Sequence, residues 1–143
     1  KGEKAEYQKK VLDAAKAIGA QCIMAGGQPP EQMHNYYRLA DLVVVPSQVE
    51  EAFCMVAVEA MAAGKPVLAS QKGGISEFVL EGITGYHLAE PMTSESILAD
   101  IKRVLADVDR AQIAKNARNF VFSKYSWEHV TQRFEAQIQD WFG

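Results

Sequence analysis

The stretch that most constrains this chain is Leu42-Val43-Val44-Val45, closed by Pro46. All four positions are apolar and three are β-branched. A strand with no polar side has no face to turn to water, so it belongs inside a parallel sheet covered by helices on both faces. Pro46 ends it, because proline offers no amide to the ladder. The flanking sequence agrees. Gln21 to Ala25, Pro66 to Ser70 and Tyr86 to Leu88 are further short apolar runs and are predicted as strands. Between them lie segments with apolar residues at helical spacing. These are Glu3 to Ile18, stopped by Gly19; Glu31 to Ala40, opened by Pro29-Pro30; the alanine-rich Cys54 to Ala63, closed by Gly64; and a short Ser76 to Leu80. The last third is helical only: Ser94 to Ala106 with Ser94 as N-cap, Arg110 to Phe122, and Trp127 to Trp141 with Ser126 as N-cap. The fold class expected is α/β, a Rossmann-like parallel sheet with helices on both faces, running into an all-helical segment.

With 143 residues, 48% of them hydrophobic, the chain suits one domain with a sizeable core. A net charge of −3 gives no basic face for nucleic acid and no polybasic segment for an anionic membrane. No apolar run is long enough for a transmembrane segment, and none reads as a signal peptide. The two cysteines, Cys22 and Cys54, have no metal or CxxC spacing. Cys22 is expected as a buried reduced thiol, and the compartment as cytoplasmic. His34, His87 and His129 are scattered and form no metal set, so no metal is expected. Tyr36-Tyr37, Trp127, Phe134 and Trp141 are expected to pack.

In open α/β sheets, ligands bind beyond the carboxyl ends of the strands. The informative junction runs from Pro46 into the helix expected at Cys54. Glu51 falls in the loop and Glu59 within the helix, eight residues apart, a little over two turns. The amides of Phe53, Cys54, Met55 and Val56 then lack intrahelical acceptors and sit at the positive end of the helix dipole, where an anion such as a diphosphate binds. Two carboxylates beside such a site suit sugar and ribose hydroxyls, which donate to them. Acidic residues near a helix start are more often plain dipole complements or solvated. Glu59, however, lies in a segment otherwise apolar from Ala52 to Ala63, where a carboxylate needs partners that a ligand can supply.

The segment from Pro46 to Ser70, PSQVEEAFCMVAVEAMAAGKPVLAS, resembles the family 4 (group 1) glycosyltransferases of GT-B architecture. Their E-x7-E signature is matched by Glu51, Phe53, Val56, Glu59, Ala60-Met61-Ala62, Gly64, Pro66-Val67 and Ala69-Ser70, then by Gly73-Gly74 and Glu77. Ala40-Asp41, Thr84-Gly85 and Tyr125-Ser126-Trp127 extend the likeness, so that from about residue 21 onward the chain is similar to the C-terminal, donor-binding half of such an enzyme. The wording of VEEAFCMVAVEAMAAGK is similar to spore-coat polysaccharide glycosyltransferases of Bacillus-like bacteria.

The resemblance implies a donor-binding half of a retaining glycosyltransferase. It would move a sugar from a UDP- or GDP-type donor to an acceptor hydroxyl in polysaccharide or cell-surface glycan synthesis, without metal or cofactor. It implies Glu51 beside the anomeric centre as the catalytic residue and Glu59 on the ribose hydroxyls. Phe53, Cys54, Met55 and Val56 would meet the diphosphate and sugar. Gly27, Gln28 and Met33 would line the nucleobase, and Gly73 and Gly74 would lie near the cleft or serve only as a turn. Cys54 stands where the family has glycine. The family's basic pair, some fifty residues before the nucleobase segment, has no counterpart; Lys1-Gly2 lies only about 25 residues before Gln28. An acceptor domain is therefore expected upstream, and residues 1–143 alone are expected to be inactive. Rival readings are a non-hydrolysing sugar-nucleotide epimerase, a non-catalytic coat or interaction protein keeping the fold, and a receiver-like module.

Overall fold

A computed structural model describes residues 2–142; Lys1 lies outside the described residues. The elements in order are α1 (Gly2–Ala17), α2 (Pro30–Leu39), β1 (Val43–Val45), α3 (Met55–Ala62), β2 (Val67–Ala69), a 3₁₀ turn (Gly73–Glu77), β3 (Tyr86–His87), α4 (Ser94–Ala106), α5 (Arg110–Tyr125) and α6 (Trp127–Phe142). The chain divides into two compact units, residues 1–32 and 33–143.

The larger unit holds a three-stranded parallel sheet in the order β1-β2-β3. β1 pairs with β2 as Val43 with Val67, Val44 with Leu68 and Val45 with Ala69, and β2 pairs with β3 as Leu68 with Tyr86. Successive side chains on a strand point to opposite faces, and the two cores follow that alternation. Val43, Val45, Val67 and Ala69 pack with Ala57, Val58, Ala60 and Met61 of α3 and with Ala117 and Val121 of α5. Val44, Leu68, Tyr86 and Leu88 pack on the other face with Val104, Ile97 and Ile101 of α4. The all-apolar strands are thus explained: each face has its own layer of helix.

One cap and one helix differ from the expected ones. α4 is capped by Thr93 rather than Ser94: Thr93 Oγ1 accepts the Ser96 amide at 3.2 Å while Ser96 Oγ accepts the Thr93 amide at 2.9 Å. This reciprocal box satisfies two end donors at once, which Ser94 one residue later does not. Ser126 caps α6 as expected, accepting the His129 amide at 3.3 Å. The helix expected at Ser76 is a 3₁₀ turn begun at Gly73, because the glycine pair is held against the backbone of Glu51 and Ala52.

Residues 21–25, expected as a buried strand, are irregular, with Ile23 86% and Met24 42% exposed. Cys22 is half-buried rather than buried. An apolar run becomes a strand only beside a ladder partner, and the described residues of the smaller unit supply one helix and no strand. In α6 the expected packing of Trp127, Phe134 and Trp141 does not occur; they are 85%, 64% and 66% exposed. Tyr37 is buried as expected, whereas Tyr36 is exposed.

Candidate functional site

The site sits where β1 gives way to α3. β1 ends at Val45, Ser47 follows the stop at Pro46, and the loop 46–54 carries Glu51 to the start of the helix. Two packing devices hold this loop. The Phe53 ring lies 5.6 Å from Phe78 and 5.1 Å from Tyr125, edge-on to the latter, so it anchors the loop against the 3₁₀ turn and α5. Behind the loop, the Gly74 amide donates to the Glu51 carbonyl oxygen at 2.7 Å. A Cβ on Gly73 would fall 2.9 Å from the Glu51 nitrogen, and one on Gly74 3.1 Å from the Ala52 carbonyl carbon. Real side chains do not tolerate such approaches. Gly73 and Gly74 therefore act through backbone-to-backbone contact with the segment that carries Glu51.

Cys54 is the N-cap of α3 and lies in the left-handed region, φ 61° and ψ 71°. The sharp reversal there points the chain into the helix, and it is why a glycine suits this position: a Cβ is strained at positive φ. The amides of Ala57 and Val58 are the first to turn back, both onto the Cys54 carbonyl. Those of Met55 and Val56 belong to the first turn, where no intrahelical acceptor exists. Met55 and Val56 are 57% and 48% exposed, so this end of the helix faces solvent.

Both glutamates are half-buried, and each is engaged through one carboxylate oxygen. Ser47 Oγ donates to Glu51 Oε1 at 2.7 Å. The Tyr37 hydroxyl, reaching from α2, donates to Glu59 Oε2 at 2.9 Å. Burial first, then the Glu59 carboxylate, pushes the Tyr37 hydroxyl well above its ordinary value; the Cys54 thiol adds to the rise. Tyr37 therefore lies within electrostatic reach of both Glu59 and the N-cap of α3. Glu59 thus has a protein partner for one oxygen, which sequence reasoning had left to a ligand. Ser47 and Tyr37 were the residues it missed. Tyr37 was marked only by its helical spacing, and that spacing spoke of packing.

Met33 is half-buried against the core beneath α3. Gly27 and Gln28 belong to the smaller unit, where Gly27 is exposed and the Gln28 side-chain amide donates to the Ala25 carbonyl. Lys72, beside the glycine pair, forms an ion pair with Glu90 at 3.3 Å. Among the described residues no group of three or more His, Cys, Asp or Glu is gathered as metal ligands would be. The Asp-x-Asp at Asp107-Val108-Asp109 is a turn device: Asp107 accepts the Asp109 amide and the Tyr86 hydroxyl, both at 2.8 Å.

Residues 1–120 match the family described as glycosyl transferases group 1. The chain is 78% identical over 142 residues to a lipopolysaccharide 1,2-N-acetylglucosaminetransferase of Salmonella typhimurium, covering 99% of this chain and 37% of that protein. It is 36% identical over 122 residues to a D-inositol 3-phosphate glycosyltransferase of Rhodococcus erythropolis, covering 84% of this chain and 27% of that one. Among solved structures, Anabaena Alr3699/HepE in complex with UDP and glucose superposes with a TM-score of 0.82 at 25% identity, over 98% of this chain and 38% of its own. Sucrose-phosphate synthase of Thermosynechococcus elongatus gives 0.81 at 30% identity, over 99% and 35%. The chain thus spans well under half the length of these relatives. The expected likeness to spore-coat enzymes is overturned by the 78% match to a lipopolysaccharide enzyme; a short run around the E-x7-E signature reports the shared donor-site framework and says little about the acceptor. No helix among the described residues is long and apolar enough to cross a membrane. On the match across residues 1–120, the chain belongs to the group 1 glycosyl transferases of GT-B architecture.

Proposed function

We propose that this chain is the donor-binding part of a retaining glycosyltransferase that transfers N-acetylglucosamine from a UDP-linked donor to a hydroxyl of a lipopolysaccharide. The observation that carries the donor-site reading is the arrangement at α3: free first-turn amides at a positively polarised helix end, with Glu51 before them and Glu59 one turn inside. The amides take the diphosphate, as in other helix-end phosphate sites. Glu59 accepts from the ribose hydroxyls, and Glu51 lies beside the sugar at its anomeric carbon. Met33 lines the base, and Gly73-Gly74 hold the loop. The sugar and the acceptor are read from the Salmonella relative, and the uridine nucleotide from the UDP-bound Anabaena neighbour. The remaining work is positioning and stabilisation of charge on the departing diphosphate, with no metal or cofactor. An acceptor domain completes the enzyme. The compartment proposed is the cytoplasm, with both Cys22 and Cys54 as free thiols.

Titration of the chain with UDP, GDP and ADP, followed by amide chemical shifts, tests the reading. UDP should bind weakly and move the Met55 and Val56 amides, and Glu59→Ala should abolish the response. Binding of none of the three, by the full-length protein as well, favours an interaction module that keeps the fold.

A further inference from the structure

We propose that Tyr37 is a positioning residue for the nucleotide: by occupying Glu59 Oε2 it orients that carboxylate so that Oε1 is presented to the ribose diol. The inference rests on the donor-site reading above and goes beyond it in naming what sets the selectivity for a ribose.

A glutamate side chain is flexible. Three torsions separate its carboxylate from the helix, and a half-buried glutamate in the second turn of α3 has several staggered arrangements open to it. Tyr37 removes that freedom from outside the helix. Its ring is 6% exposed and packed in the core with Val45, Ala57 and Met61, so the hydroxyl is a fixed point delivered by α2. Its single proton is given to Glu59 Oε2 at 2.9 Å. A phenol has one O–H to donate, and burial beside a carboxylate keeps that proton in place at any pH near neutrality. Tyr37 is therefore a permanent donor. Glu59 keeps its second oxygen as a pure acceptor, and a ribose presents hydroxyls as donors to that oxygen. Hydrogen bonds to an ionised carboxylate are the strong kind, and a pre-oriented acceptor does not lose affinity to ordering on binding. A core tyrosine serving stability alone would not affect how the protein distinguishes one sugar ring from another.

The test uses UDP and 2′,3′-dideoxy-UDP on the 143-residue chain, wild type and Tyr37→Phe, with affinity measured by amide shift titration. Tyr37→Phe keeps the buried ring and deletes only the donor; Tyr37→Met fills the same space without a donor if the phenylalanine variant loses its fold. Wild type should prefer UDP over the dideoxy compound by about tenfold or more. The variant should bind UDP about three- to tenfold more weakly while dideoxy-UDP is unchanged, so the preference collapses. A variant that folds and keeps the full preference overturns the positioning role and leaves the donor site intact. A wild type that binds UDP without preferring it shows that Glu59 does not read the ribose, and a wild type that binds neither nucleotide removes the donor-site reading; both overturn the proposal.

Discussion

The Gly74 amide donates to the Glu51 carbonyl oxygen at 2.7 Å, with no side chain between the two strands of backbone. The loop that carries one acidic residue of the site is thereby set by a residue more than twenty positions later. Gly74→Ala puts a methyl group onto the Ala52 carbonyl, where neither partner is the flexible end of a side chain. The loop must shift. The expected cost is about 1–3 kcal/mol, typical of overpacking a tight contact. It should appear as a lower urea midpoint at unchanged slope, with weaker UDP binding in the same variant. A Gly74→Ala protein as stable as wild type would show that the two segments are not in contact.

Cys54 supplies the second prediction. At φ 61° any Cβ is strained, by about 1–2 kcal/mol. Cys54→Gly removes that strain and at the same time gives up a partly buried thiol and some order in the unfolded chain, so the net change from wild type is small. Cys54→Ala keeps the strain and loses the thiol. The glycine variant should therefore be more stable than the alanine variant by about 1 kcal/mol, because only alanine keeps a Cβ at positive φ. Denaturant unfolding of the two variants side by side decides it.

How far the sequence could be read depends on which forces are local. β1 was legible because three valines and a proline leave one physical option, and the split of Val43 and Val45 from Val44 into separate cores follows from alternation alone. The start of α3 and the place of Glu59 in its second turn were legible because spacing on a helix is fixed. The strand expected at residues 21–25 failed because pairing is a property of the partner, and composition cannot supply one. The hydroxyls of Ser47 and Tyr37 were missed for a related reason. Tyr37 lies 22 residues from Glu59, and only the folded arrangement of α2 against α3 brings the two together. Cys54 could be seen to replace a glycine, but the reason for glycine is a dihedral angle that no residue pattern displays.

Tryptophan reports on α6. Trp127 and Trp141 are the only tryptophans, and they are 85% and 66% exposed. The chain in solution should show red-shifted, water-like fluorescence that acrylamide quenches readily. Trp141→Ala should alter stability by no more than about 0.5 kcal/mol, as for other surface substitutions. Blue-shifted, protected emission would mean that this helix is covered.

Alkaline pH offers the last test. Burial, and then hydrogen bonding to Glu59 and Asp107 respectively, raises the Tyr37 and Tyr86 hydroxyls well above the ordinary value of 10.0. Both rings are buried, at 6% and 2% exposure. A raised value means that the folded chain keeps its proton where the unfolded chain has released it. The stabilisation is therefore complete below pH 10 and drains as pH climbs through the interval between the unfolded and folded values, by about 1.4 kcal/mol per pH unit for each tyrosine. Unfolding free energy measured from pH 9 to 11.5 should be level at first and then fall steeply. Tyr37→Phe should be less stable than wild type at neutral pH and should lose stability with a shallower alkaline slope, because one linked proton is gone while those of Tyr86 and of Tyr125, also raised by burial, remain. A folded wild-type chain whose phenolate absorbance rises at the ordinary midpoint for all of its tyrosines would place the Tyr37 hydroxyl in water, away from Glu59.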